Sequence, residues 1–412
     1  MIASFHDKIS DLKKMLIDNN NLGMLLIDVS TINRIEHDYG RKMYGEILEK
    51  LKKVIIDMRA KQIRKADIIT MNHLKGDQFY IFLSKKRKEK SFQSGDIESL
   101  ATRVSKHINE TMFFDIYQYL RKRPKINVGY SIVIRNPLIQ EERIIDKLIS
   151  DSKKMAEYED FRSTIRNKEK LQEIIIKEEI RTIYQPIVNC TSNTIIGYEA
   201  LSRGPENTEY ENPIVLFIIA EETDLVFELD RLCRRLSIIN AKGIPKYKKL
   251  FINILPSTIH DPEFKGHYLE DFLKDIKISP RSIVLEVSER QAIDNYDLFK
   301  EASNYYSEIG FAIAIDDTGT GYSNLKSLVE LNIEYIKIDM SLIRNINIDP
   351  LKKTVVNAVL QIGNSLNSQV IAEGIETKEE LVALKEIGIN YGQGFLYAKP
   401  ASPFPKINLI EK

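Results

Sequence analysis

Short apolar runs recur along the C-terminal half of the chain, and segments long enough to form helices separate them. Continuous apolar runs are typical of strands buried on both faces, and their alternation with helices indicates a parallel sheet. The pattern therefore predicts an α/β fold, a (β/α) barrel, in this half. The predicted strands span residues 194–198, 250–252, 282–285, 311–315, 335–336 and 369–372.

The first part of the chain carries helices and strands in a different order. A tight turn at 75–77 separates two of its strand signals. This order favours an α/β sandwich with a mostly antiparallel sheet. The predicted helices span 4–18, 44–60 and 98–112, and the predicted strands span 22–28, 68–72, 78–83 and 127–134.

Residues 141–180 are charged, carry a broken apolar stripe and contain neither Pro nor Gly. This composition predicts a continuous helical connector rather than a flexible linker. Such a helix can transmit rotation or dimer geometry, or it can simply pack two domains together. The predicted organisation is a first domain at 1–140, the connector at 141–180 and a barrel domain at 181–412. Leucines at three- and four-residue spacing also predict a barrel helix over 221–240.

Composition narrows the class of protein. The 412 residues include 60 Lys and Arg against 59 Asp and Glu, and a net charge of +1 argues against a nucleic acid polymer or an acidic membrane as partner. The two cysteines lack zinc-type spacing and favour a reducing compartment. Neither a membrane span nor a signal-peptide core is evident, so we expect a cytoplasmic protein.

Polar and charged residues follow or lie in the apolar runs, strand after strand. They are Glu199, Asn253, Glu286, Asp316, Asp317, Lys337 and Glu373. The site of a (β/α) barrel lies at the C-terminal ends of its strands. Burying so many carboxylates without partners would be very costly, and a bound cation removes that cost. The pattern therefore predicts a metal-dependent hydrolase site.

A series of ordered motifs over residues 180–402 resembles the EAL-domain cyclic di-GMP phosphodiesterases. The central motif is Tyr-Glu-Ala-Leu-Ser-Arg-Gly at 198–204. The others are Tyr-Gln-Pro-Ile-Val at 184–188, Asn253, Glu-Val-Ser-Glu at 286–289, Asp-Asp-Thr-Gly-Thr-Gly-Tyr-Ser at 316–323, Lys-Ile-Asp at 337–339, Ala-Glu-Gly-Ile-Glu at 372–376 and Gln-Gly-Phe at 393–395. The resemblance implies a TIM-like barrel that hydrolyses cyclic di-GMP to linear pGpG.

The resemblance also implies two divalent ions. Oxygen ligands suit Mg²⁺ or Mn²⁺ better than Zn²⁺, and His260 and His267 lie outside the motifs. Asp316 would bridge the two ions, and Asp317 would be a further ligand of the second. The first ion would be held by Glu199, Asn253, Glu286 and Asp316.

The same resemblance assigns roles around the attacking water. Glu373 is the expected general base, and Lys337 would orient the water or stabilise charge near it. Gln393 would contact the metal-bound water or the second site. Glu289 would hold the loop at 316–323, and the alternative for Glu289 is a surface or capping carboxylate.

Three more residues are implied as substrate contacts, Gln185, Arg203 and Asp230. Gln185 and Arg203 would bind phosphate or base, since the fork of an Arg side chain suits phosphate oxygens. Asp230 would meet a guanine, or it is an exposed surface acid on a helix.

We expect a homodimer through the barrel domains. The loop at 316–323 begins with two metal ligands and contains two glycines, so a shift at its far end can move the ligands. Leucines at three-residue spacing over 324–331 suit a helix that faces a partner or its own barrel. Thr318 stands where Phe is commoner in the family, which puts regulation in doubt more than chemistry.

The first domain resembles a GGDEF, or diguanylate cyclase, domain. The match rests on Asp28 after an apolar run, on residues 39–40 and on residues 75–79 in the hairpin position. Gln78 replaces the fourth, acidic residue of the hairpin motif. Other departures are Ser30, Glu36, Gly45 and Lys75. The resemblance therefore implies a domain that is inactive as a cyclase, acts in regulation and can bind GTP or a protein partner.

Two other functions stay open from the sequence. One is a catalytically silent receptor that changes shape on binding cyclic di-GMP, and the other is an interaction scaffold that works through the degenerate first domain. Silent members usually lose a metal ligand or the base, whereas this chain keeps all of them. The sequence therefore favours the enzyme.

Overall fold

A computed structural model describes residues 2–59, 62–72, 77–84, 94–120, 126–245, 247–319 and 332–407. By internal contacts the chain divides into two units, Met1–Glu169 and Lys170–Lys412. None of the described helices is long and apolar enough to cross a membrane.

The first unit contains a sheet and five described helices. The strands are β1 (Ala3–Ser4), β2 (Asn21–Asp28), β3 (Ile68–Met71), β4 (Gln78–Leu83) and β5 (Asn127–Ile134). The helices are α1 (Ile9–Asn19), α2 (Asn33–Tyr39), α3 (Arg41–Met58), α4 (Ser94–Leu120) and α5 (Glu141–Ile176), the last of which continues into the second unit. The described strands lie in the order β1-β3-β4-β2-β5, and all pairs except β1 with β3 are antiparallel. The mostly antiparallel sheet agrees with the sequence pattern.

Helices cover both faces of this sheet. Leu25 and Ile27 of β2 pack in a core with residues of α3 and α4, whereas Met24 and Leu26 pack in a core with residues of α1 and α5. Successive side chains of β2 thus point to opposite faces of the sheet and pack in two separate apolar cores. The helix predicted over 98–112 is longer in the structure, and α2 had no clear signal in the sequence. The likeness of this unit to a GGDEF domain stays a prediction.

The second unit contains a closed barrel. Its strands are β6 (Arg181–Asn189), β7 (Thr194–Arg203), β8 (Lys249–Asn253), β9 (Ile283–Ser288), β10 (Ala312–Thr318), β11 (Tyr335–Ile338), β12 (Gln369–Ala372) and β13 (Tyr391–Gly392). Its helices are α6 (Pro213–Glu222), α7 (Val226–Asn240), α8 (Gly266–Ile276), α9 (Glu289–Asp294), α10 (Tyr296–Ile309), α11 (Met340–Ile343), α12 (Pro350–Ser365) and α13 (Lys378–Ile387). Eight described strands pair in chain order, and β13 closes on β6. The predicted TIM-like barrel is confirmed.

Strand β6, which the sequence analysis did not predict, differs in direction from the rest of the barrel. It pairs antiparallel with both β7 and β13, while the other neighbouring strands of the barrel pair in parallel. The six strands predicted from the sequence do pair in parallel. Strand β6 was not among them, and a short turn at 190–193 joins it to β7. A parallel pair would need a crossover of a dozen or more residues.

The helix predicted over 221–240 is two helices in the structure. Helix α6 ends at Glu222 and α7 begins at Val226. Between them Asp224 has a φ of +58°, a left-handed conformation that a helix cannot continue through. The leucine stripe is still buried, since Leu229 and Leu232 pack in one core cluster with α6.

Candidate active site

The C-terminal ends of the barrel strands bring the predicted ligands together. Asn253 at the end of β8 is in register with Glu286 on β9. Two groups of carboxylates have ligand atoms within 4.8 Å of one another, and both groups contain Asp316. The first group is Glu199, Glu286 and Asp316, and the second is Asp316, Asp317 and Glu373.

Lys337 lies in the middle of these acids. It is part of β11 and its side chain is fully buried. Burial lowers the pKa of Lys337, but the attraction of the surrounding carboxylates, Asp316 first, raises that pKa well above its usual value, so the ammonium is charged. Among the described residues, Nζ lies 2.8 Å from Glu286 Oε1, 2.8 Å from Glu373 Oε1, 3.1 Å from Asp316 Oδ2 and 3.4 Å from Glu199 Oε2.

The acids are under electrostatic strain in spite of this lysine. Burial raises the pKa of Glu286 and of Glu373 well above the usual value, and it also raises the pKa of Asp316. Within the described residues, neither carboxylate oxygen of Glu286 accepts a hydrogen bond, although the Lys337 ammonium is close. One ammonium therefore does not satisfy this buried negative charge.

The donor set fits divalent cations. Every ligand atom in the two groups is a carboxylate oxygen, the kind of donor that Mg²⁺ and Mn²⁺ prefer. The two groups share Asp316, so this one carboxylate would contribute oxygen atoms to both. Glu286 Oε1 is paired with the Lys337 ammonium, whereas the buried Glu286 Oε2 has no hydrogen-bond partner among the described residues and is available to a cation.

Asp317 lies near the end of β10, and Gly319 begins the loop that follows the strand. Desolvation by the surrounding site and then repulsion from Asp316 raise the pKa of Asp317 to about 6, although its side chain as a whole is solvent-exposed.

The N–H of Gly319, which has a φ of +99°, donates to Glu289 Oε2 over 3.0 Å. Glu289 is 4% exposed, so the alternative of a surface acid is wrong. Residues 320–331, which include the predicted helix at 324–331, lie outside the described residues.

Gln393 and Gln185 form a buried chain of amides beside Glu199. Gln393 Nε2 donates to Glu199 Oε2 over 2.5 Å and to Gln185 Oε1 over 2.9 Å. Gln185 Nε2 donates to the carbonyl oxygen of Ala398 over 3.1 Å. Arg203 ends β7, four residues after Glu199, and strand periodicity therefore places both on the same face.

Asp230 lies in the barrel wall on α7. It is 4% exposed, so the alternative of an exposed surface acid is wrong. Its Oδ2 pairs with the buried guanidinium of Arg234 at 2.5 Å, and its Oδ1 accepts from the N–H of Leu255 at 3.2 Å. Arg234 also pairs with the buried Asp261 at 2.5 Å. Sequence reasoning missed this triad, although the four-residue spacing of Asp230 and Arg234 on a helix was a signal for it.

The first unit has a polar cleft at the predicted nucleotide position. A cavity of about 260 Å³ is lined in part by Asp28, Asp77, Gln78 and Lys153. Gln78 Nε2 donates to Asp28 Oδ2 at 3.4 Å, so the residue that replaces the expected acid is a hydrogen-bond donor to Asp28. Lys75 and Gly76 lie outside the described residues.

The family follows from this geometry and from comparison with known proteins. The family model described as "EAL domain" matches residues 168–400, the part of the chain that forms the barrel and its acidic site. The chain belongs to the EAL domain family.

Named relatives share this region. The chain is 31% identical over 310 residues to the probable cyclic di-GMP phosphodiesterase PdeG of Escherichia coli (strain K12), covering 71% of this chain and 61% of that protein. It is 25% identical over 425 residues to the cyclic di-GMP phosphodiesterase PdeA of Borreliella burgdorferi, covering 95% of this chain and 59% of that protein. The PaMucR phosphodiesterase, solved as a c-di-GMP complex, superposes with a TM-score of 0.53 at 26% identity, covering 58% of this chain and 98% of that one. The chain thus spans about three fifths of the length of these two curated relatives.

Proposed function

We propose that this protein is a cyclic di-GMP phosphodiesterase that hydrolyses its substrate to linear pGpG. The observation that carries the proposal is the cluster of Glu199, Glu286 and Asp316, whose ligand atoms lie within 4.8 Å, in a chain of the EAL domain family. The names of the relatives PdeG and PdeA support the same activity.

The acids would hold two Mg²⁺ or Mn²⁺ ions. Asp316 would be shared, and Asp317 would belong to the second ion. The first ion would be held by Glu199, Asn253, Glu286 and Asp316. When bound, such a pair of ions neutralises charge on the phosphate and lowers the pKa of water.

Glu373 and Lys337 would act on the attacking water. The pKa of Glu373 is raised by burial and by the nearby Asp316, which makes this carboxylate a better proton acceptor than an exposed one. The Lys337 ammonium, 2.8 Å from Glu373 Oε1, keeps that carboxylate in place and compensates negative charge that develops near it.

Arg203 and Asp230 remain proposed substrate contacts. Arg203 shares a strand face with Glu199, so its guanidinium can hold a phosphate oxygen next to the cations. Asp230 is buried and paired with Arg234, so a guanine would have to compete for a carboxylate that is already engaged.

The test is product analysis with the full chain. Purified protein is incubated with cyclic di-GMP and Mg²⁺ or Mn²⁺, and the nucleotides are resolved by chromatography. We expect pGpG, none of it in EDTA, and little with Ca²⁺, which is larger and coordinates more loosely. Glu199→Gln keeps the size of the side chain but removes the charge of a proposed metal ligand, so this variant should be inactive. Binding of cyclic di-GMP without hydrolysis under either metal would refute the proposal and favour a silent receptor.

For the first unit we propose a regulatory, GGDEF-like role without cyclase activity. Three acids, Asp28, Asp77 and Glu157, line the cleft together with Lys153. Acids that can hold a cation beside a lysine that can bind phosphate suit a nucleotide triphosphate with its cation. The three-part organisation at 1–140, 141–180 and 181–412 belongs to this proposal. Titration with GTP, followed by phosphodiesterase assays at saturation, tests it; the absence of both GTP binding and any rate change would contradict it.

We also propose a homodimer through the barrel unit. Helix α12 and the segment just before it expose large apolar side chains, with Ile348 75% exposed, Leu351 78% and Val355 42%. Adjacent exposed apolar side chains mark interaction sites, and symmetric pairs are the commonest soluble oligomers. Light scattering should show a dimer at working concentration, and a fully active monomer would contradict the proposal.

A further inference from the structure

The side-chain amide of Gln185 makes hydrogen bonds within the protein. Gln185 is 7% exposed, and both of its polar atoms have partners. Its Nε2 donates to the carbonyl oxygen of Ala398 over 3.1 Å, and its Oε1 accepts from Gln393 Nε2 over 2.9 Å. A phosphate or a base that bound Gln185 would first have to break one of these hydrogen bonds.

The chain of amides has a defined direction. The carbonyl oxygen of Ala398 can only accept, so the NH₂ group of Gln185 must face it. The side-chain oxygen of Gln185 then faces Gln393, so the NH₂ group of Gln393 must donate to it. The same NH₂ group reaches Glu199 Oε2 at 2.5 Å, where a carboxylate needs a donor. The backbone at Ala398 thus determines which way the Gln393 amide is turned.

Two further observations connect this chain to the acidic site. Gln185 and Glu199 are directly paired across β6 and β7, so the antiparallel strand β6 brings the amide beside the carboxylate. Gln393 Oε1 is buried and has no hydrogen-bond partner among the described residues. With its NH₂ group occupied twice, Gln393 presents this oxygen as an available acceptor or ligand atom.

We propose that Gln185 is a positioning residue that orients the Gln393 amide, and through it the Glu199 carboxylate, for cation binding, rather than a contact to the substrate. Without Gln185, the Gln393 side chain can rotate or flip, and Glu199 loses a preoriented donor. The kinetic part of the test rests on the proposed function, whereas the metal-binding part does not.

The metal-binding test uses Mn²⁺ alone, titrated into the full chain by calorimetry. Gln185→Met keeps the length of the side chain and removes its hydrogen bonds. We expect about tenfold weaker Mn²⁺ binding, the lower end of the 10–100-fold range for partners that orient a metal ligand. Gln369→Met is the control, because Gln369 is an exposed glutamine at the first position of β12. Mn²⁺ affinity equal to that of the parent in a folded Gln185→Met would overturn the proposal.

A double-mutant cycle tests whether Gln185 acts through Gln393. Since the proposed effect passes through the second amide, Gln185→Met should add nothing to the loss already caused by Gln393→Met. Additive losses would overturn the proposal. If circular dichroism shows that Gln185→Met does not fold, Gln185→Asn replaces it, since its amide is too short to join Ala398 to Gln393.

Steady-state kinetics separate positioning from substrate contact. At saturating Mn²⁺ the proposal predicts a lower kcat with the KM for cyclic di-GMP within about twofold of the parent. A substrate contact predicts a raised KM and unchanged Mn²⁺ affinity, which would overturn the proposal. If the parent does not hydrolyse cyclic di-GMP, the proposed function fails, and the Mn²⁺ titrations still decide the role of Gln185.

Discussion

Replacing Lys337 by Met removes the ammonium at the centre of the acidic site. Met has a similar length, so the change deletes charge with little loss of volume. In the structure the Lys337 Nζ lies within 3.4 Å of a carboxylate oxygen of each of four acids, Glu199, Glu286, Asp316 and Glu373. Lys337→Met therefore leaves buried carboxylates facing one another without this compensation.

The expected loss of stability is large. Removing one partner of a buried ion pair typically costs about 3–5 kcal/mol. In a domain of 150–250 residues each kcal/mol shifts the Tm by about 2–4 °C, so the barrel transition should fall by about 6–20 °C in EDTA. Because the pKa of Lys337 is raised above the ordinary value, its stabilisation is complete below that value and is lost only as pH rises through the raised pKa. The contribution of the ammonium itself should therefore be the same at pH 7 and at pH 8.

Divalent cations should reverse the loss. A cation at 100 times its Kd adds about 2.7 kcal/mol of stability to the folded state. In Lys337→Met the cation no longer competes with an ammonium for the same oxygens, so the rise in Tm on adding Mn²⁺ should exceed that of the parent. Turnover should remain low even with Mn²⁺, because the charge near the attacking water is missing.

The assay is differential scanning fluorimetry of the full chain in EDTA and across a Mn²⁺ series. Lys274→Met is the matched control, since Lys274 also pairs with two carboxylates, Glu270 and Asp271, but on the surface. The control should change stability by no more than about 0.5 kcal/mol. If Lys337→Met matches the parent in EDTA and responds equally to Mn²⁺, the reasoning about this buried cluster is wrong.

Four further results are expected. Because the folded pKa of Asp317, about 6, lies above the ordinary Asp value, stability without cations should fall as pH rises from about 4 to 6. Mn²⁺ titrations should show affinity for the second ion rising over that window, and Asp317→Asn should weaken both trends, whereas unchanged trends would contradict this. Glu289→Ala removes the acceptor of the Gly319 N–H and should lower kcat/KM about tenfold in the cyclic di-GMP assay, whereas an unchanged rate would show that this contact does not hold the loop. Arg234→Met removes the cation of a buried ion triad and should cost about 3–5 kcal/mol in urea unfolding; a loss below about 1 kcal/mol would contradict this. The full chain with Glu373→Gln, which stops hydrolysis, should make no cyclic di-GMP from GTP, and any metal-dependent synthesis would show that the first unit is an active cyclase.

The sequence by itself determined the barrel and the residue types of its site. Buried parallel strands need continuous apolar runs, and a barrel site draws its chemistry from successive strand ends. Both signals are local, so Glu199, Glu286 and Asp316 could be named as neighbours from their places after apolar runs. The strand at 181–189 carried the motif with Gln185, but its direction was not readable, because pairing direction depends on the connection between strands.

Only the tertiary structure decided which atoms meet. A place at a strand end does not predict that Lys337 contacts carboxylates from three other strands and from the loop after β12. Nor does it predict that Asp230 is buried against Arg234. Gln185 was predicted to contact substrate. The sequence motif does not indicate that its amide donates to the backbone of Ala398, which lies more than two hundred residues away in the chain. Local pattern specifies the face of a strand, whereas the partner of a buried polar group is set by the long-range packing that closes the barrel.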